Sequence, residues 1–263
     1  MEKYLICYSK HKDNDLQITS RLQEMLNADI LNMDYNHSKR DMSKYSIVFV
    51  VGGDGTILKT LHYIYPHSIP VVGVNLGRRG YIAQIEPANM EDEVKNIING
   101  HFFEKRYNFL SGNIAGQKSV AVNDIIISKS NPLSTCELEL TINDSYAGRF
   151  ICDGILVSTP FGSTAYNQSL HGPIVTPESP VYIITPINPI NAKYQSLVVS
   201  DASEIKVKLV DRGKDEKALI GFDGTQEVYE LLGGKEIIIT KSWEQFIFIN
   251  TDSFDFFENL NKK

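Results

Sequence analysis

The stretch Gly52-Gly53-Asp54-Gly55-Thr56 combines residue types suited to holding a phosphate. Glycines can take positive φ and leave backbone N–H groups uncovered. The apolar run Ile47-Val48-Phe49-Val50-Val51 precedes them and the helix-like Ile57-Leu58-Lys59-Thr60-Leu61-His62 follows, so the order reads strand, turn, helix. A helix start behind such a turn favours anions, because its first N–H groups are unpaired and its dipole is positive there. Asp54 sits in the middle of this cradle. A carboxylate repels a phosphate unless it binds a metal or takes a proton from a reacting group. A plain glycine-rich βα turn with a surface acid would use the same residues.

A second dense stretch runs from 153 to 167: Asp153-Gly154-Ile155-Leu156-Val157-Ser158-Thr159-Pro160-Phe161-Gly162-Ser163-Thr164-Ala165-Tyr166-Asn167. It reads as a strand, a turn of Ser, Thr, Pro and Gly, and a short helix over 165–170. Hydroxyls at a helix start suit an anion or a hydroxyl-rich ligand, and Tyr166 offers a face for a flat ring. An ordinary Ser/Thr-rich turn with a core tyrosine reads the same way. Asn123-Asp124 interrupts the apolar residues Val120-Ala121-Val122 and Ile125-Ile126-Ile127. A buried amide and carboxylate need partners, which a ribose diol or an amide would supply. A bulge, or an edge facing water, would also explain them. Asp223, in Gly221-Phe222-Asp223-Gly224-Thr225, has the plain reading of a hairpin turn.

Other chemistries find little support. His11, His37, His62, His67, His101 and His171 show no metal-ligand spacing, and no Ser/His/Asp or Cys/His arrangement stands out. Cys7, Cys136 and Cys152 form neither a disulfide framework nor a zinc spacing, and Cys152 reads as a small buried thiol.

The elements that must position these residues divide into two textures. Up to about residue 100, strands at 4–8, 28–33, 47–51 and 70–74 alternate with helices over 16–26, 57–65 and 87–98, the pattern of a mostly parallel α/β sheet. Ligands in such sheets bind at the carboxyl ends of strands, where both glycine turns fall, the second being Asn75-Leu76-Gly77-Arg78-Arg79-Gly80-Tyr81. From 101 to about 245 the pattern changes to short strands at 121–129, 137–142, 146–150, 155–159, 181–185, 197–200, 204–210, 217–222 and 235–243, an all-β domain. The apolar tail of residues 246–263 is expected to pack back on the first domain.

Composition sets outer limits. The 263 residues are 42% hydrophobic and 22% charged, with a formal net charge of −6. That mild acidity disfavours non-specific nucleic-acid binding. No apolar run approaches the roughly 20 residues of a membrane span, and the N-terminal residues do not read as a signal peptide, so a cytoplasmic setting is expected.

Taken in order, Gly52-Gly53-Asp54-Gly55-Thr56, Asn75-x-Gly77-x-x-Gly80-Tyr81, Asn123-Asp124, and Asp153-Gly154 with Ser158-Thr159-Pro160-x-Gly162-Ser163-Thr164-Ala165-Tyr166 resemble the NAD kinase family. Thr185-Pro186-Ile187-Asn188-Pro189 resembles a proline-containing segment of the same family. The resemblance implies an α/β domain over 1–100 and an all-β NAD-binding domain over 101–245. It implies transfer of the γ-phosphoryl of ATP, or of another donor such as polyphosphate, to the 2′-hydroxyl of the adenosine ribose of NAD. Mg²⁺ or another divalent cation would assist, no protein metal ligand is implied, and the chain would be a homo-oligomer, a dimer of dimers.

By the same resemblance Asp54 is the catalytic carboxylate and Gly52, Gly53 and Thr56 bind phosphate. Gly55, Tyr81, Asn123, Asp124, Asp153, Thr164, Ala165, Tyr166, Asn167, Ser169 and Asp223 face the NAD. Asp124 stands where the family usually has Glu, and Thr225 where it usually has Gln, with Gln226 one place later. Two other readings use parts of the same residues: a kinase of the same glycine motif acting on a lipid or sugar hydroxyl, and a non-catalytic NAD(P) sensor. The segment 153–166 argues against the first and the intact Asp54 against the second.

Overall fold

Residues 3–35, 37–38, 41–76, 82, 85–190, 195–213, 215–225, 227–251 and 256–261 are described by the computed structural model of the chain. They form two units, Met1–Tyr107 with Glu244–Lys263, and Asn108–Trp243.

The first unit opens with β1 (Tyr4–Tyr8), α1 (Gln17–Leu26), β2 (Asp29–Asn32), β3 (Ile47–Gly52), α2 (Asp54–Ile64), β4 (Pro70–Asn75) and α3 (Met90–Ile98), and β5 (Phe103–Ile114) leads out of it. Every residue of β3 is buried, as in a parallel strand covered on both faces. The strand order is β2-β1-β3-β4, all parallel. Helix α1 turns Leu22 and Leu26 into a core with Phe49, Val72 and Val94. Its start is held from outside the helix, because the Asp13 carboxylate accepts the Thr19 N–H at 2.8 Å and the Thr19 hydroxyl at 2.6 Å. Helix α3 stops at Asn99-Gly100, where Gly100 takes φ 78°. The register pairs Val51 with Val74 and Gly52 with Asn75, so the carboxyl ends of β3 and β4 lie side by side. The first glycine turn and Asn75 leave the sheet at that shared edge.

The second unit contains β6 (Gln117–Ala121), β7 (Asp124–Lys129), β8 (Cys136–Ile142), β9 (Ser145–Cys152), β10 (Gly154–Ser158), a 3-10 turn (Phe161–Thr164), the short α4 (Tyr166–Ser169), β11 (Val181–Ile187), β12 (Leu197–Ser200), β13 (Ile205–Leu209), β14 (Lys217–Phe222), β15 (Val228–Leu232) and β16 (Glu236–Asn250). One antiparallel sheet has the order β12-β11-β10-β7-β14-β15. In the other, β16 pairs with β13, β13 with β8 and β8 with β9. Ile127, Leu138, Ile155, Ile184, Val207 and Ile220 share one core.

Strand β16 runs past Trp243, and its last residues pair in parallel with the first unit's β4, Ile247 with Pro70 and Phe248 with Val71. The short α5 (Phe256–Asn261) ends the described chain. Two strand expectations change. The single strand over 121–129 is two, because the chain breaks at Val122-Asn123. The strand over 235–243 continues through the apolar run 246–249 as one strand of 15 residues.

Candidate functional site

Asp54 is the first residue of α2, half-buried, and its Oδ1 accepts the Ile82 N–H at 3.3 Å. Ile82 follows the second glycine turn in sequence, and its backbone amide is the contact with Asp54. The first turn of α2 closes as the Thr56 and Ile57 amides donate to the Gly53 carbonyl at 2.9 and 3.2 Å. The glycines serve this turn differently from the expectation of positive φ. Gly53 is extended, with φ −106° and ψ −175°, and neither Gly52 nor Gly55 lies in the left-handed region. Gly52 is needed for close approach instead, since a Cβ there would meet the Thr56 side chain. Gly55 is exposed, and a Cβ there would have nothing within 4 Å. The open space at the head of α2 therefore lies over Gly55, one residue from Asp54. Tyr81, together with Gly77 and Gly80, lies outside the described residues.

In the second unit the two polar motifs meet. The Thr159 amide donates to the Asn123 carbonyl at 2.8 Å and the Thr159 hydroxyl to the Val122 carbonyl at 2.7 Å. The Thr159 hydroxyl also accepts the Gly162 N–H at 3.0 Å. Gly162 packs so tightly on Asn123 that a Cβ would overlap the Asn123 carbonyl. Asp223 completes this junction. It stands with Gly224 at φ 51° and 62°, in a tight turn closed by the Thr225 N–H on the Phe222 carbonyl at 2.9 Å, at the start of the five-residue connection from β14 to β15. Its carboxylate reaches across to accept the Val122, Asn123 and Asp124 amides at 2.6, 2.7 and 3.0 Å. In this structure the Asp223 carboxylate clamps the backbone of Val122-Asn123-Asp124.

Beside that clamp lie two buried polar side chains. Asn123 and Asp124 are 8% and 7% exposed, and among the described residues their side-chain atoms have no hydrogen-bond partner. Burial first, and the nearby Asp223 charge second, push the Asp124 carboxyl up to about 7. Neither side chain counts among the fully enclosed polar atoms, so a small polar ligand can reach this amide and carboxyl.

The segment after β10 divides into two groups. Asn167 is fully buried: its Nδ2 donates to the Ser163 and Pro173 carbonyls at 3.2 and 3.0 Å, and its Oδ1 accepts the Thr185 hydroxyl at 2.8 Å. It ties the short helix to β11 with both amide hydrogens committed, and its Oδ1 keeps one acceptor position. Thr164 is buried, Ala165 half-buried, and Tyr166 and Ser169 exposed, with no hydrogen bond to the Thr164, Tyr166 or Ser169 side chains among the described residues. Tyr166 is 42% exposed, enough to present a ring face.

Asp153 has two partners that the sequence reading did not single out. Lys129 Nζ lies 2.6 Å from its Oδ1 and Asn188 Nδ2 donates to its Oδ2 at 3.0 Å. The Lys129 hydrogen bond, and then that of Asn188, hold its carboxyl below the ordinary carboxylate range. Asn188 takes φ 46°. The proline segment 185–189 was the signal for it, while Lys129 ends an apolar strand with nothing local to mark it.

Comparison with known proteins decides the family. The model of the ATP-NAD kinase N-terminal domain matches residues 6–102 and that of the ATP-NAD kinase C-terminal domain matches residues 122–251. The chain belongs to the NAD kinase family. It is 34% identical over 275 residues to an NAD kinase of Treponema denticola, covering 100% of this chain and 96% of that one. An NAD kinase of Methanothermobacter thermautotrophicus is 32% identical over 95% of this chain and 84% of its own. Among solved structures, an NAD kinase from Archaeoglobus fulgidus in complex with ATP superposes with a TM-score of 0.80 at 27% identity, covering 99% of this chain and 97% of that chain. A yeast NADH kinase complexed with NADH has the same fold, with a TM-score of 0.84 at 18% identity. The two-domain fold of the family, an α/β unit with a mostly parallel sheet and an antiparallel β unit, is the fold of this chain.

Proposed function

We propose that this chain transfers the γ-phosphoryl group of ATP to the 2′-hydroxyl of the adenosine ribose of NAD, forming NADP. Family membership and the full-length relatives named NAD kinase support the reaction, and the relative complexed with ATP supports the donor. The observation that carries the mechanism is Asp54, a half-buried carboxylate on the first turn of α2, steadied by the Ile82 N–H and bordered by the open position over Gly55.

Asp54 orients the 2′-hydroxyl and takes its proton as the bond to phosphorus forms. Gly52 and Gly53 shape the turn, and the Gly55 and Thr56 region at the positive end of α2 receives phosphate oxygens. The buried Asn123 and Asp124 hydrogen-bond the dinucleotide. Thr164, Ala165, Tyr166 and Ser169 take its adenosine, with the exposed Tyr166 ring as the stacking face. Tyr81 is assigned to the same ligand on the family resemblance alone. Asn167 and Asp223 position these groups from behind. Asp153, held by Lys129 and Asn188, serves the nicotinamide end.

Among the described residues no three His, Cys, Asp or Glu side chains converge to hold a metal ion. A Mg²⁺ bound with the triphosphate would supply charge neutralisation there. The proposal extends to a homo-oligomer, a dimer of dimers, and to a cytoplasmic setting. Unpaired thiols at all three cysteines support the latter, and no helix among the described residues is long and apolar enough to cross a membrane.

The test is incubation with NAD, ATP and Mg²⁺ and measurement of NADP. Formation of NADP is expected. NAD bound without turnover would make the chain a sensor, and phosphorylation of added diacylglycerol instead would overturn the reading. The same assay with polyphosphate in place of ATP ranks the donors.

A further inference from the structure

Two of the three cysteines, 16 residues apart in sequence, are direct cross-strand partners. Cys136, the first residue of β8, stands opposite Cys152, the last residue of β9. Opposed residues on antiparallel strands have Cα atoms about 4.5–5.5 Å apart. A disulfide accepts Cα separations of about 4.4–6.8 Å, so this register already satisfies it. Both thiols are buried and both are reduced.

Their position also provides access. The pair closes the open end of the β8–β9 ladder, away from its Asn143-Asp144 turn, and β9 is an edge strand with a register shift at Leu140/Thr141. Cys136 follows a loop whose Leu133 is almost fully exposed. Strand ends at a sheet edge open at far lower free energy than the whole domain. The two thiols are not equivalent: Cys136 donates to the Cys152 carbonyl at 3.5 Å and borders the exposed loop, whereas Cys152 is fully buried and donates to the Phe150 carbonyl at 3.9 Å, so Cys136 is the attacking sulfur. Cys7 is different. It lies alone in the first unit, and burial pushes its thiol up to about 12.

We propose that Cys136 and Cys152 are a redox-sensitive dithiol that closes to an intrachain disulfide, and that the chain reads this change through Asp153. The Cys136 thiolate attacks one sulfur of a small disulfide such as oxidised glutathione and expels one glutathione thiolate. The Cys152 thiol loses its proton and attacks the Cys136 sulfur of the mixed disulfide, forming the Cys136–Cys152 bond and expelling the second glutathione. Two electrons pass from the protein thiols to the glutathione disulfide, and both protons end on glutathione. Cys152 is bonded directly to Asp153, whose carboxylate holds Lys129 and Asn188 and whose backbone joins Lys129 and Ile187 at 2.9 Å. Closing the bond removes the Cys136 thiol's hydrogen bond to the Cys152 carbonyl, the peptide that leads directly into Asp153. This second clause rests on the function proposed above, in which Asp153 serves the dinucleotide.

The test treats the full-length chain with oxidised glutathione, then alkylates it and maps the free thiols by mass spectrometry. Loss of two hydrogens, with Cys136 and Cys152 protected and Cys7 alkylated after unfolding, is expected, and dithiothreitol reverses it. The same loss persists in Cys7→Ala and disappears in Cys136→Ala and Cys152→Ala. A stable glutathione adduct on one thiol, or two thiols still free, would overturn the proposal whether or not the chain makes NADP. In the kinetic arm the oxidised protein is expected to show a KM for NAD raised by about threefold or more with kcat nearly kept. That rise is absent from Cys136→Ala under the same treatment. An unchanged KM in a fully cross-linked sample would remove the link to Asp153. If no sample turns over NAD, the disulfide result stands and the proposed reaction fails on its own.

Discussion

Asp124 is buried beside a second carboxylate, Asp223, and burial and then that charge push its carboxyl up to about 7 from the ordinary 3.8. Between these values the folded chain holds a proton that the unfolded chain has lost. Stability therefore falls as pH rises through that window, and the loss is complete above about 7. Its full size is on the order of 4 kcal/mol. Asp124→Asn keeps the shape and removes the ionisation. Without ligand, the variant is expected to be more stable than the parent by a few kcal/mol at about pH 8 and equal to it near pH 4. Urea unfolding at several pH values checks this, and a constant difference across the range would show that Asp124 does not titrate there.

At the scale of elements, the head of α2 shows why neighbouring glycines are not equivalent. Gly52→Ala forces a Cβ into the Thr56 side chain, and overpacking of this kind costs about 1–3 kcal/mol. Gly55→Ala meets nothing and adds a better helix former, so stability is kept or slightly raised. The same methyl enters the space assigned to phosphate, and the KM for ATP is expected to rise while the melting temperature does not fall. A Gly55→Ala protein with an unchanged KM for ATP would move the phosphate away from α2. The β14–β15 hairpin carries the second element-scale prediction. Asp223→Ala leaves three backbone N–H groups without an acceptor and is expected to cost about 2–4 kcal/mol in denaturant unfolding. Removing that charge also lets Asp124 titrate lower. Loss of stability without a change in the Asp124 titration would contradict their coupling.

Across the whole molecule, the first unit was easier to read from sequence than the second. Strands β1, β3 and β4 are apolar runs buried on both faces, and α2 and α3 have clear apolar spacing and stops. β5 was missed because its charged start, Phe103-Glu104-Lys105-Arg106, is exposed and lacks alternation, and β15 because its outward residues include Val228 and Leu232. The site was legible as separate motifs. What sequence could not supply were the long-range contacts that sort their members. The Asp223 carboxylate meets amides about a hundred residues away, which no hairpin signal reveals. Lys129 joins Asp153 across paired strands, and Asn167 spends its amide on Thr185. Asp54, by contrast, stands where the strand-turn-helix reading put it, at the head of α2. The central claim is that this carboxylate acts on the reacting hydroxyl and does not merely shape the pocket. The most direct measurement is Asp54→Asn, with NADP formation under saturating NAD and ATP followed alongside NAD affinity by calorimetry. The expected result is a kcat lowered by about 10²–10⁴-fold with NAD affinity nearly unchanged. Near-parental turnover, or a loss of affinity that matches the loss of rate, would contradict it.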